Sequence, residues 1–537
     1  MLPEKFRKKE TWHVLALISL CLVLFFFRLG TRPLWDIDEG MHAATSRQMV
    51  LSGDWITPTF NGKPFFDKPV LFNWLAAVSF LVFGFTEFAA RLPAAVLGSG
   101  CVLVTYLLGR KISGPRLGFL GALILATAIE FIILSRAVVH DISLAFFVTL
   151  ALYLFYKGYR DERHKKRTLL LFYVALGFAV LSKGPVGLAL PAMIIGLHLW
   201  VQKDLRFVRQ MQIGWGMVIF LAIAAPWYIL IALKNPAYAG YFFITQNLGS
   251  FLSAEARHPE PFYYYLPVFF GGFFPWSCFL PLALVYAVRR RFHITGDAPA
   301  LLVIWFSVVF VFFSLANSKL STYILPLFPA AALLVALLAN ELFTAPTPAG
   351  RRAMGYCFLP VVFLFLGALV YLWLYPPVRL EYDSGVKLNQ INLLAVWLTG
   401  CVLAAFFFLV SKKDTAFVAS LVTMVVSALL IFVTLIVGDI NPYRSTRELA
   451  RQYDRLVPAG ESIVFYRRIK DSALFYTRRH ARVLETEKQL QDFLASGKRV
   501  FCILTRNRLI KSYPAPYVVV RKGDKLLISN KKPPINP

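Results

Sequence analysis

Blocks of about twenty apolar residues, the length of a helix that crosses hydrocarbon, recur through most of this chain. "WGMVIFLAIAAPWYILIAL" (215–233) and "LLAVWLTGCVLAAFFFLV" (393–410) are two of them. Inside a bilayer every backbone N–H and C=O must be satisfied within the protein, so such a chain folds as a helical bundle. A membrane barrel would instead show alternating segments of about ten residues, and the sequence has none. Only 16% of the 537 residues are charged, against about a quarter in soluble domains. The expectation is an all-α polytopic membrane protein with about thirteen spans and a small α/β domain at its C-terminal end.

The distribution of charge sets the orientation. Alternate connections read "FRKK", "GRKISGPR", "KGYRDERHKKR", "KDLRFVR", "VRRR", "AGRR" and "SKKD", and the long loops after Gly30, Lys234 and Tyr375 fall in the other set. Basic short loops stay in the cytoplasm. This places the N-terminus there and the long loops and tail outside. The transmembrane domain is expected over 1–440, with a first outer loop at 30–90, and the outer α/β domain over 441–537.

Within the first loop, residues 69–85 read as a helix lying in the outer interface. Leu34 to Asp54 reads as a second surface helix, started by Asp36 or Asp38 and ended near Gly53. In the tail, "SIVFYR" and "RVFCILT" read as strands, and "TEKQLQDFLASG" as a helix with a Thr486/Gln489 capping box and Gly497 at its end. "YVVVRKGDKLLIS" reads as a hairpin turning at Gly523–Asp524.

A net charge of +28 suits anionic membrane lipids or phosphorylated substrates. Nucleic acid is not expected as a partner, because no binding motif accompanies the charge. The six cysteines show no CxxC spacing, so neither a zinc site nor a disulfide framework is indicated.

Unusual polar residues gather on the outer side. The first loop holds Asp36, Asp38, Glu39, Arg47, Asp54, Lys63, Asp67 and Lys68, and Arg91 begins the next span. "SRAVVHD" adds Arg136, His140 and Asp141. The loop near 235–265 supplies Gln246, Asn247, Glu255, Arg257 and His258, then "PFYYY", and "NSKLSTY" supplies Lys319 and Tyr323. Ionisable groups near hydrocarbon are costly and mark function. Lys68, Arg91 and Lys319 would hold phosphate oxygens, and a carboxylate would act as base on an acceptor hydroxyl. Asp67 and His258 offer one ligand each to a divalent metal if their loops meet. Glu130 reads as a partner of Arg136, Lys183 as part of a tight turn, and His164 as a solvated cytoplasmic residue.

"DEGMHAATSRQMVLSGDWITPTFNGKPFFDKP", "RLPAA", "SRAVVHD", "HPEPFYYYLPVFFGGFFPWS" and "KLSTYILPLFPAAALL" together resemble a known group. It is the GT-C glycosyltransferases typified by the 4-amino-4-deoxy-L-arabinose transferase of lipid A, related to protein O-mannosyltransferases. The resemblance implies a polyprenyl (undecaprenyl) phosphate-linked sugar donor and a lipid A-type or other envelope glycolipid acceptor. It also implies inverting displacement at the outer face of the bacterial inner membrane. By motif, Asp38 and Glu39 match the family's acidic pair, Asp141 a second functional aspartate, and Lys68 and Tyr323 residues near the donor phosphate.

Two departures concern the metal. Asp67-Lys68-Pro69 stands where the family has "EKP", and "QNLGSF" stands where it has "EHxxRF", so Asn247 replaces a histidine. A transporter or flippase of lipid-linked glycans is the competing class. It would place charges near the bilayer midplane, whereas here they gather at one face. A transferase acting on protein hydroxyls and a non-catalytic assembly protein are the remaining readings.

Overall fold

The computed structural model describes residues 4–249, 258–289, 296–375, 386–506 and 516–532. Glu255 and Arg257 lie outside the described residues, as does the side chain of Asn247. Among the described residues, eight helices are long and apolar enough to cross a membrane, and ten if each of two bent pairs counts as one span. The expected span centres fall on helices, except the one near residue 275, which falls in the break of a bent pair. The difference from thirteen lies in the bent pairs and in helices that are short or open on charged residues, such as Lys165–Lys183.

In chain order the first helices are α1 (Glu4–Cys21), α2 (Asp38–Ser52), α3 (Leu71–Phe83), α4 (Glu87–Ser113), α5 (Pro115–Ala126) and α6 (Ile129–Ser135). Then come α7 (Asp141–Arg160), α8 (Lys165–Lys183) and α9 (Val186–Val201). Local chemistry explains their ends. Thr86 caps α4 by accepting from Ala89 N at 3.1 Å, and Glu87 in its first turn and Arg110 and Lys111 in its last complement the helix dipole. The loop helix α2 stops where Gly53 takes φ +70°, a left-handed conformation that favours glycine. Its 15 residues and the 13 of α3 are too short to span at about 1.5 Å per residue.

The two bent pairs meet at their breaks. α5 and α6 turn by 71°, and Tyr265–Gly272 and Ser277–Val288 by 118°. Trp276 Nε1 donates to Thr127 Oγ1 at 2.9 Å, and Ile129 N to Phe274 O at 3.3 Å. Each break thus answers polar groups that the other leaves without a helical partner.

The last apolar helix runs on to Arg444, a few residues past the expected boundary. Beyond it a five-stranded sheet has the order β4-β3-β5-β7-β6. Its strands are β3 (Ile463–Tyr466), β4 (Ala481–Leu484), β5 (Phe501–Thr505), β6 (Tyr517–Lys522) and β7 (Lys525–Ser529). β3 pairs parallel with β4 and β5, and β7 antiparallel with β5 and β6. The hairpin at Gly523–Asp524 and both bonds of the Thr486/Gln489 box form as expected. The helix ends at Leu494, before Gly497. β4 was not anticipated, because "ARVL" is short and opens among arginines. All six cysteines are free.

This sheet domain sits on the first loop. The short helix Asp471–Thr477 lies along α2, and a Cβ on Gly40 would come within 2.3 Å of the Ser472 nitrogen. Asp36 Oδ1 accepts from Ser472 N at 2.7 Å, capping that helix from another part of the chain, since its own N-cap residue Lys470 makes no cap bond. Asn61, in the turn between β1 (Thr59–Phe60) and β2 (Lys63–Pro64), bonds both backbone groups of Ala481. Arg47 donates to Phe475 O, and Arg447 pairs with Glu87 at 3.1 Å.

Gly40→Val should therefore cost about 1–3 kcal/mol through overpacking, read as a lowered Tm and faster tryptic cleavage after Arg444 and Arg447. Burial first, then the Asp36 charge, pushes the Asp471 carboxyl up to about 7. A carboxyl that binds its proton more tightly when folded stabilises below its unfolded value near 3.9, and that contribution is lost as pH rises toward 7. Asp471→Asn should match the wild-type Tm near pH 4–5 and exceed it at pH 8. A constant offset across that range would contradict the assignment.

Candidate active site

Glu39 and Arg91 meet in the interior. Arg91 has five N–H donors, and all five end on protein acceptors. Nε reaches Glu39 Oε1 at 2.8 Å, and Nη2 reaches Glu39 Oε2 and Pro33 O at 2.9 Å each. Nη1 reaches Leu29 O at 3.0 Å and Arg32 O at 2.7 Å. Glu39 also accepts from Arg32 Nη2 and Trp35 N, both at 3.0 Å. Burial pushes its carboxyl up, but Arg32 and Arg91 outweigh it and hold it at about 2. This corrects two expectations. Arg91 has no donor left for a phosphate, and Glu39 has no unengaged oxygen for a reacting group. Together they anchor the chain between the first span and α2.

The neighbouring carboxylate differs. Asp38 stands at the first position of α2, is exposed, and makes no cap bond. Surrounding protein, then the Asp141 charge, raises its carboxyl, while Lys68 and His258 act the other way. Three groups from separate elements, Asp141, Lys68 and His258, thus act on it. Lys68 follows the β1–β2 hairpin, with its ammonium 5.8 Å from the Tyr323 ring centre, and has no ion-pair partner among the described residues.

Asp141 opens α7 and Lys183 closes α8, antiparallel neighbours whose ends meet at one face. There the Lys183 ammonium pairs with Asp141 Oδ1, and Thr322 also hydrogen-bonds Asp141. Lys183 lies 3.7 Å from the Tyr323 ring centre, a cation–π distance. The fold therefore brings Asp38, Lys68, Asp141 and Tyr323 together, with Lys183 beside them. Sequence reasoning missed Lys183 because "LSKGPVG" explains itself as a turn, with Gly184 at φ +79°. The signal was available: a lysine at the outer end of a span needs an acceptor. His42 was also missed. It lies buried on α2 with its ring centre 4.4 Å from that of His140, and burial, then Lys68, lowers its imidazole to about 4.

Other expected residues are structural. Lys319 is buried, donates to Glu260 O at 2.8 Å, and its backbone bonds His258 O. Arg136 donates to Leu24 O and Phe27 O at 2.8 Å each, answering carbonyls at the end of the first span. It therefore does not pair with Glu130, whose Oε2 has no hydrogen-bond partner. Asp54 binds Lys234 at 2.7 Å.

For a metal, Asp67 is engaged by the Tyr241 hydroxyl at 2.6 Å. Among the described residues no three His, Cys, Asp or Glu side chains are grouped to hold an ion. Asp67 and His258 thus do not assemble a ligand set with a third residue there.

Residues 10–242 match the family described as dolichyl-phosphate-mannose-protein mannosyltransferase. The chain is 31% identical over 390 residues to an undecaprenyl phosphate-α-4-amino-4-deoxy-L-arabinose arabinosyl transferase of Proteus mirabilis, covering 71% of this chain and 69% of that protein. A counterpart from Aeromonas salmonicida is 34% identical over 331 residues, where the match spans 61% of this chain and 60% of the relative. The fold resembles the crystal structure of ArnT from Cupriavidus metallidurans bound to undecaprenyl phosphate. The TM-score is 0.81 at 22% identity, covering 98% of this chain and 99% of that one. The overall fold is thus shared with that structure along nearly the whole of both chains. This chain belongs to the undecaprenyl phosphate-4-amino-4-deoxy-L-arabinose arabinosyl transferase family, membrane glycosyltransferases of the GT-C fold.

Proposed function

We propose that the protein transfers an aminoarabinose-like sugar from an undecaprenyl phosphate-linked donor to a lipid A-type or other envelope glycolipid. The reaction takes place at the periplasmic face of the bacterial inner membrane. The N-terminus lies in the cytoplasm and the sheet domain in the periplasm, as the alternation of basic loops supports. The observation that carries the reading is the convergence of an accessible carboxylate, Asp38, with the cation Lys68 and the Asp141–Lys183 pair at one end of the bundle.

Those residues suit a single displacement. An acceptor oxygen attacks the anomeric carbon while the bond to the donor phosphate breaks, and the electron pair leaves with the phosphate. Lys68 is placed to meet the developing negative charge, and Lys183, held by Asp141, adds a second cation. With a hydroxyl acceptor, the proton passes to Asp38. Its raised carboxyl brings its basicity closer to the working pH, which improves a general base. An ionised phosphate acceptor brings no proton, and Asp38 then positions it. Glu39 and Arg91 act through Asp38, fixing the helix start that presents it.

Purified protein in nanodiscs, given undecaprenyl phosphate-aminoarabinose and lipid A, should yield lipid A heavier by one aminopentose in the mass spectrum. Asp38→Asn should lower that rate about 10²–10⁴-fold; equal rates would remove Asp38 from the reaction. A second comparison separates the two cations. Lys68→Ala should keep the wild-type Tm and raise the donor KM. Arg91→Met takes the bidentate partner from the buried Glu39, leaving it Arg32 alone, and should cost about 3–5 kcal/mol of stability. A normal Tm with a raised donor KM for Arg91→Met would return Arg91 to the phosphate.

A further inference from the structure

The turn from β3 into the helix Asp471–Thr477 reads Arg467-Arg468-Ile469-Lys470. It belongs to the part of the sheet domain that lies against the start of α2. Ser472, two residues beyond Lys470, donates its backbone N–H to Asp36, two residues before Asp38. Arg468 and Lys470 both act on the Asp471 carboxyl, which also feels Asp36 and Asp38. The turn's cations and the candidate catalytic carboxylate therefore share one small region.

The turn is held rigidly. Arg467 N donates to Leu484 O at 2.7 Å, Arg468 N to Tyr466 O at 2.9 Å, and Ala473 N to Lys470 O at 3.0 Å. Arg467 leans on Tyr466, its Nε 3.2 Å from the hydroxyl. Arg467 and Arg468 are exposed and Lys470 is half-buried. None of the three has an ion-pair partner among the described residues. From residue 441 onward the chain carries 21 Lys and Arg against 8 Asp and Glu. The rule that keeps short basic loops in the cytoplasm does not account for an excess on a whole outer domain.

A displacement needs nucleophile and leaving group on opposite sides of the reacting carbon. The cations assigned to the leaving phosphate, Lys68 and Lys183, come from the first loop and the bundle. The turn at 467–470 comes from a different unit of the fold and leads into the helix that packs on α2 and bonds Asp36, two residues before that carboxylate. We propose that Arg468 and Lys470, with Arg467 beside them, form the subsite for the phosphate groups of an anionic glycolipid acceptor, seating its headgroup beside Asp38. This rests on the reading of the protein as a transferase with a lipid-linked acceptor. Guanidinium and ammonium groups on a fixed turn recognise phosphate through charge-assisted bonds at little ordering cost.

The test uses the full-length protein with Arg468→Ala and Lys470→Ala combined, in nanodiscs of zwitterionic lipid, with donor and lipid A varied separately. The acceptor KM should rise about tenfold or more, as expected for losing one or two charge-assisted bonds. The donor KM should stay within about twofold, and Arg468→Lys should recover part of the loss. An unchanged acceptor KM, or acceptor and donor KM rising together, overturns the proposal. Binding without donor separates this inference from the transfer reaction itself, so it can be read even if wild type forms no product. Wild type should bind phosphatidylcholine vesicles containing lipid A more tightly than the double variant does. Equal binding overturns the subsite. An equal loss on vesicles containing phosphatidylglycerol instead overturns its specificity, making the turn a general contact for anionic lipid.

Discussion

The bidentate pair between Glu39 and Arg91 is the constraint on which the outer face depends. A charge taken out of water must be matched and hydrogen-bonded, or it neutralises or destabilises its surroundings. Here both ions are matched completely. Arg91 stands near the start of the second span, and its remaining donors gather the carbonyls of Leu29, Arg32 and Pro33. Those carbonyls belong to the irregular chain leaving the first span, where no helix satisfies them. One guanidinium thus closes the backbone account of a loop near the membrane surface and fixes where α2 begins. Because Glu39 is consumed in this way, Asp38 beside it is left accessible at a defined position.

The sheet domain completes that arrangement from above. Asp36 gives up its carboxylate to cap a helix of the distant domain, and Gly40 allows the two helices to touch. The segment Asp36 to Gly40 therefore has three neighbours: the bundle through Glu39, the sheet domain through Asp36 and Gly40, and the reaction space through Asp38. Three carboxylates within four residues have three distinct tasks. Their different surroundings separate them: Arg32 and Arg91 lower the Glu39 carboxyl against its burial, burial raises Asp36, and burial with the Asp141 charge raises Asp38.

Much of this was legible in the sequence, and the limits are physical. Apolar periodicity and basic loops marked the helices and their sides, because hydrocarbon imposes a length and charge imposes an orientation. α2 was legible from its acidic start and Gly53, and the capping box from two polar residues at the required spacing. What local pattern cannot show is which charge meets which. Arg91 and Lys68 are both cations near the outer surface, and only the fold reveals that Arg91 is fully spent on Glu39. Lys183 was hidden for the reverse reason, its sequence context being sufficient to explain it as a turn. β4 was hidden because a short parallel strand takes its register from β3 rather than from its own alternation.

The proposed arrangement of cations would let one carboxylate serve two lipid-linked substrates. A donor phosphate and an anionic acceptor repel one another, and water between them would screen that repulsion only at the cost of hydrolysing the sugar. In the proposed arrangement positive charge from two units of the fold would answer that conflict: Lys68 and Lys183 from the bundle side, and the 467–470 turn from the domain side. Tying the domain to α2 through Asp36 then sets the separation of the two sets. On the proposed roles, the docking of the sheet domain would fix the distance between the substrates, so a change at Gly40 or Ser472, where the domain meets α2, would act on the reaction without touching either lipid.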